Sequence, residues 1–120
     1  MKIPDAPRGP QGFLEARPGD IATDPTSFEI IDVRETEELL GEWGHIHGVR
    51  HRPMARVLAE GLSDVAKDRP VVLVCRTGRR SAICAEQLVR QGFREVYNLV
   101  GGMVRWNAEE RPVAKQPTWT

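Results

Sequence analysis

Four consecutive apolar residues, Val71-Val72-Leu73-Val74, are entered from Asp68-Arg69-Pro70 and left through Cys75. An unbroken run of β-branched and aliphatic side chains has no polar face, so it suits a strand covered on both sides, as in a parallel sheet. The rest of the chain reads as strand and helix in alternation around it. A short strand is expected over 13–16, a turn or short helix over 17–25, a strand over 28–33, a helix with early carboxylates suited to its dipole over 36–40, and a strand over 49–52. Beyond these, the pattern predicts a helix over 54–66 broken near Gly61, the strand 71–75, and a helix over 81–91 stopped by Gly92. A strand over 95–99 and a short helix over 102–108 complete the series. Such alternation implies an α/β domain with a mainly parallel sheet, right-handed crossovers and helices on both faces.

The chemistry concentrates where the apolar run ends. Cys75 falls at the carboxyl edge of its strand, where open α/β sheets place ligands, so its thiol is expected to be presented rather than buried. The segment that follows, Arg76-Thr77-Gly78-Arg79-Arg80-Ser81, is short and carries a glycine. Its successive N–H groups can curl into an anion-binding nest, backed by the positive end of the next helix. Arg76, Arg79 and Arg80 add positive charge. Together these features favour the thiolate, which makes Cys75 the candidate nucleophile. Ser81 is read chiefly as a helix cap, with support of the loop as a second role.

Three ordered segments then carry a resemblance. Ile31-Asp32-Val33-Arg34 with Gly44-His45-Ile46-His47-Gly48-Val49, the loop Cys75-Arg76-Thr77-Gly78-Arg79-Arg80-Ser81, and Asn98-Leu99-Val100-Gly101-Gly102-Met103-Val104-Arg105-Trp106 resemble the amino-terminal, active-site and carboxyl-terminal motifs of the rhodanese-like sulfurtransferases. The matches span roughly residues 30–106. The resemblance implies a three-layer rhodanese-like domain with a five-stranded, mainly parallel sheet flanked by helices. It also implies thiosulfate sulfurtransferase activity. A sulfane sulfur would pass from thiosulfate or a similar donor to cyanide or a thiol acceptor through a persulfide on Cys75. Arg76, Thr77, Gly78, Arg79, Arg80 and Ser81 would bind the substrate, and Asp32, Arg34 and His45 would support the site. Phosphatase-like relatives and some arsenate reductases place arginine six positions after the cysteine; here that position is Ser81 and the arginine is one residue earlier, at Arg80. The shorter loop suits one sulfur atom better than a tetrahedral oxyanion. Delivery of the persulfide to a protein acceptor, or a regulatory binding role, are the alternatives, and phosphatase or arsenate reductase activity ranks below them.

Other reactive side chains have structural readings. Cys84, Ala85, Leu88 and Val89 recur at helical spacing, which assigns Cys84 to core packing rather than to a disulfide with Cys75. His45, His47 and His51 lack a neighbouring ligand cluster, so no metal site is expected, and His45 is read as a hydrogen-bonding residue of a turn. Asp32 is read as a loop-holding carboxylate, Arg34 and Glu38 as a pair four apart on a helix, and Trp43 as packing near a turn, with a wall of the site's entrance as its other role. After Gly48-Val49 the chain departs from the family with Arg50-His51-Arg52-Pro53, residues that discourage edge pairing and suit a partner-facing or acidic-ligand surface.

With 17 basic and 17 acidic residues, the 120-residue chain has no net field to attract nucleic acid, and its hydrophobic content of 40% supports one core. No apolar stretch reaches a membrane span, and the amino terminus lacks an apolar signal core, so a cytoplasmic protein is expected. The expected organisation is an irregular arm over 1–12, the domain over 13–112 and a tail over 113–120. The expected partners are a small-molecule sulfur donor and a thiol or cyanide acceptor, with a protein acceptor as an option and a monomer or weak dimer as the state. No cofactor is expected.

Overall fold

The computed structural model describes residues 12–120, so the arm expected over 1–12 lies, apart from Gly12, outside the described residues. Five strands form one wholly parallel sheet: β1 (Leu14–Ala16), β2 (Glu29–Asp32), β3 (Arg50–His51), β4 (Val71–Val74) and β5 (Val96–Leu99), in the order β1-β5-β4-β2-β3. The helices are α1 (Pro18–Ala22), α2 (Thr36–Leu39), α3 (Met54–Glu60), α4 (Arg79–Arg90) and α5 (Gly102–Ala108). A 3-10 turn at Pro25–Ser27 precedes β2.

The apolar run takes the centre, as its lack of a polar face demands. Val71 and Leu73 point into a core shared with Val57 of α3 and Cys84, Ala85 and Leu88 of α4. Val72 and Val74 point the other way, toward Ile21 of α1 and Met103 and Trp106 of α5. All four are fully buried, so either face of β4 is closed by helix. The site therefore opens only at the strand ends.

Several boundaries move. The helix expected over 54–66 stops at Glu60, because Gly61 takes a positive φ of 71° and the chain continues through turns to Val65. The helix expected from Ser81 begins earlier, at Arg79, on an N-cap glycine, Gly78. The sheet-edge arginines are not a free acidic-ligand surface. Arg50 pairs with Glu29 at 3.0 Å and Asp64 at 3.1 Å, and Arg52 pairs with Asp64 at 2.5 Å. The residues after 113 lie on the domain: His45 and Ala114 exchange backbone hydrogen bonds at 2.9 and 2.8 Å, and Thr120 N–H donates to Val49 O beside the β3 edge. Among the described residues no helix is long and apolar enough to cross a membrane.

Candidate active site

Cys75 is the first residue after β4 and its side chain is buried, with only 1% of the residue exposed. The expectation of a presented thiol is therefore corrected. The side chain packs in the core shared with Cys84, Ala85 and Leu88 of α4. The surrounding amides nonetheless face it. Gly78 N–H donates to Cys75 Sγ at 3.1 Å, and Ser81 Oγ lies 3.3 Å from the same atom.

The loop keeps its N–H groups inward because its carbonyls are held outward. Met103 N–H donates to Cys75 O at 2.9 Å and Val104 N–H donates to Arg76 O at 3.0 Å, so the first turn of α5 clamps the first two loop carbonyls. Gly78 O accepts from Asn98 Nδ2 of β5 at 3.1 Å. Gly78 itself has φ +103°, a left-handed conformation that turns its N–H back toward the sulfur and starts α4.

Burial pushes the Cys75 thiol up, but hydrogen bonds from the Ser81 hydroxyl and from the N–H groups of Ser81, Gly78 and Thr77 outweigh it, leaving the thiol below its ordinary range. Amides and one hydroxyl, more than the arginines, favour the thiolate. Ser81 is correspondingly not a helix cap: it lies inside α4, is fully buried, and directs its hydroxyl to Cys75 and to Asn98 Oδ1, 2.5 Å away. Cys84 moves the opposite way, pushed up to about 12 by burial first and then by the charge of Cys75. It is a core residue with no disulfide, as its helical spacing predicted.

Arg80 does not point freely toward an incoming anion. Its two terminal nitrogens grip both carboxylate oxygens of Glu38 at 2.8 and 2.7 Å, tying α4 to α2. Hydrogen bonding from Arg80, working against burial, holds the Glu38 carboxyl down at about 2. The pair expected between Arg34 and Glu38 is not formed. Arg34 precedes α2, is fully buried, and grips Asp32 at 2.9 and 2.7 Å while also donating to Gly44 O at 2.7 Å. Only the backbone carbonyl of Glu38 receives a bond from it, at 3.3 Å. Asp32 and Arg34 thus pin the β2–α2 connection to the turn at Gly44.

His45 is also fully buried. Its Nδ1 is 2.9 Å from Leu39 O and its Nε2 2.8 Å from Thr118 Oγ1. A carbonyl only accepts, so Nδ1 carries the proton there and the ring ties the end of α2 to the tail. Arg76 and Thr77 on the loop and Arg79 at the first position of α4 are exposed, and neither arginine enters an ion pair among the described residues. Beside them a cavity of about 240 Å³ is lined by Glu38, Gly41, Glu42, Trp43 and Arg76, and Trp43 also packs against the core on the α5 side of the sheet. No group of three or more His, Cys, Asp or Glu residues suited to a metal occurs among the described residues.

Three contributors escaped the sequence reading as individuals: Asn98, Gly102 and the carboxylate of Glu38. Asn98 left the clearest trace, as the one amide in the buried strand Val96-Tyr97-Asn98-Leu99. Gly102 has φ +53°, and a Cβ there would stand 2.5 Å from the carbonyl oxygens of both Cys75 and Arg76. Nothing local to residue 102 announces that contact.

A family model, the Rhodanese-like domain, matches residues 14–109. The "Putative sulfur carrier protein YrkF" of Bacillus subtilis (strain 168) is 36% identical over 100 residues, covering 83% of this chain and 52% of that protein. The chain thus spans about half the length of that relative. The "Thiosulfate sulfurtransferase GlpE" of Coxiella burnetii (strain RSA 493 / Nine Mile phase I) is 40% identical over 79 residues, covering 66% of this chain and 71% of that protein. A crystal structure of a rhodanese-related protein from Thermoplasma volcanium superposes with a TM-score of 0.76 at 27% identity, covering 85% of this chain and 98% of that one. With a family model matching residues 14–109, the chain belongs to the rhodanese-like domain family, among relatives named as sulfurtransferases and sulfur carriers.

Proposed function

We propose that the protein is a thiosulfate sulfurtransferase that carries sulfane sulfur as a persulfide on Cys75. The observation that carries the reading is a buried sulfur ringed by donors: Gly78 N–H at 3.1 Å, Ser81 Oγ at 3.3 Å, and the N–H groups of Thr77 and Ser81. In the first half-reaction the Cys75 thiolate attacks the outer sulfur of thiosulfate. The new bond joins Sγ to that sulfur, the donor's S–S bond breaks, and its electron pair leaves on sulfite. In the second, cyanide or a thiolate takes the outer sulfur and the pair returns to Sγ. No general base is needed, because the nucleophile is already favoured as an anion. The inward amides stabilise charge on the sulfane sulfur as it forms.

Arg76 and Arg79 recruit the anionic donor, since Arg80 is occupied by Glu38. Arg80 braces the loop's exit, and Asp32, Arg34 and His45 hold the neighbouring turns. The 1% exposure of Cys75 favours a donor whose reacting sulfur projects on a small molecule. A free thiol with no disulfide partner suits a reducing compartment such as the cytoplasm. Delivery to a protein thiol is a second reading, favoured by the sulfur carrier among the relatives, and it uses the same step at Cys75.

Intact-mass spectrometry after incubation with thiosulfate tests the proposal. One added sulfur is expected, removed by cyanide and never formed in Cys75→Ser. Absence of the adduct in the native protein overturns the reading. Discharge to a protein thiol much faster than to cyanide favours the carrier role.

A further inference from the structure

Asn98 interrupts the apolar sequence of β5 and is only 5% exposed. Its Nδ2 donates to Gly78 O at 3.1 Å and approaches Glu15 Oε2 at 3.5 Å. A carbonyl oxygen can only accept, so the amide nitrogen must face Gly78 and the amide oxygen must face Ser81. That oxygen is 2.5 Å from Ser81 Oγ, and it too can only accept. Between these two oxygens only Ser81 can donate, so its hydroxyl proton is shared between Asn98 and the sulfur. Its other neighbour is Cys75 Sγ at 3.3 Å, and a hydroxyl has one proton for the two of them.

We propose that Asn98 is a positioning residue that parks the Ser81 proton while Cys75 carries sulfur and yields it to Cys75 Sγ when that atom becomes the leaving thiolate. The inference rests on the persulfide reading above. In the loaded protein Sγ is the inner sulfur, bonded on both sides and a weak acceptor, while the charge sits on the outer sulfur among the loop amides. The hydroxyl is then best used on Asn98. When an acceptor thiolate attacks the outer sulfur, a bond forms between acceptor and outer sulfur, the bond from Sγ to that sulfur breaks, and its electron pair returns to Sγ. No oxidant or reductant is consumed. Sγ is now a buried anion, and the Ser81 hydroxyl rotates from Asn98 to donate to it. Ser81 touches the reacting atom and is catalytic, whereas Asn98 acts through it.

The other ionisable groups around the sulfur leave this exchange to Ser81. On α4, Arg80 is held by Glu38 of α2, and Cys84 stays protonated across the neutral range. On β1, Glu15 reaches the network through Asn98, and Arg76 on the loop and Arg79 at the start of α4 are exposed.

Ionisation of Cys75 is followed by ultraviolet thiolate absorbance with no sulfur donor present, so a failure of sulfur transfer itself does not affect the readout. Cys84 contributes no signal in the neutral range. In Asn98→Leu the Ser81 proton has no competing acceptor, and roughly threefold more thiolate at a given pH below the midpoint is expected. In a Ser81→Ala background the same substitution is expected to give no such gain, which separates proton parking from loss of the bond to Gly78 O. Asn98→Asp, which keeps an acceptor toward Ser81, is expected to show no gain either. Ser81→Ala is expected to slow discharge of the persulfide to a small thiol. An Asn98→Leu protein whose titration does not move, or moves equally in both backgrounds, overturns the proposal. If Asn98→Leu does not fold, Asn98→Ala in the same two backgrounds supplies the contrast. A native protein that never forms the persulfide sinks the proposed function, with the titration of Asn98→Leu still to be read on its own terms.

Discussion

Gly102 offers the sharpest test of the claim that the far end of the chain shapes the thiol's surroundings. A Cβ added there would meet Cys75 O and Arg76 O at 2.5 Å and the Arg76 carbonyl carbon at 2.6 Å, all backbone atoms that cannot swing aside. The loop would have to retreat by half an ångström or more, carrying its N–H groups off the sulfur. An L residue at the left-handed φ of this position costs about 1–2 kcal/mol. Weakening the bonds from Met103 and Val104 to the loop carbonyls adds about 1 kcal/mol each. Gly102→Ala is thus expected to lose about 3 kcal/mol, a drop in Tm of about 12 °C for a domain of this size. The burial penalty on Cys75 would stay while its donors withdrew, so the thiol should ionise only at higher pH and persulfide loading should slow. Gly101→Ala is the control. Its φ is +76°, but the added Cβ meets the side chain of Arg105, at 2.5 Å from Cβ and 2.8 Å from Cδ, and not the loop. It should cost stability and leave thiol ionisation alone. Thermal unfolding, ultraviolet titration and intact mass after thiosulfate report the three quantities. A Gly102→Ala protein with native ionisation and loading, or a Gly101→Ala protein that disturbs the thiol as much, would refute the clamp by α5.

Glu38→Gln should release Arg80 toward the donor, raising kcat/KM for thiosulfate in a salt-sensitive way; unchanged kinetics at low salt would mean that Arg80 charge is not held back by Glu38. Because the Glu38 carboxyl is depressed from 4.5 to about 2, its pairing with Arg80 stabilises the fold fully above pH 4.5 and is lost as pH falls toward 2. Acid unfolding curves of Glu38→Gln and the native protein should therefore converge across that window and not above it. Arg34→Leu leaves the Asp32 carboxylate buried and unpaired and strands Gly44 O, so denaturant unfolding should show a loss of about 3–5 kcal/mol. A loss under about 1 kcal/mol would mean that water or another cation reaches Asp32.

The fold was legible where hydrophobic pattern alone decides it. Val71–Val74 reads as a buried strand from four letters and is one, and the short helix expected over 102–108 is found with those bounds. Helix ends were less legible: nothing apolar distinguishes Leu62 and Val65, buried from turns, from residues that continue α3. At the site, Cys75 and the helical placement of Cys84 followed from local spacing. The partners of Arg34, Arg80 and Ser81 did not. Arg34 has Asp32 two residues before it and Glu38 four after it, and burial rather than spacing selects Asp32.

The sequence by itself determined that a lone thiol would end a central parallel strand and meet a glycine-bearing turn at a helix start, because strand periodicity and turn chemistry are properties of neighbouring residues. Tertiary structure alone decided how deep that thiol lies and which groups donate to it. Those depend on α5 pinning the loop's carbonyls and on β5 supplying Asn98 to Gly78 and Ser81. Each is a contact between segments distant in the chain, formed only once the sheet has set the order of its strands.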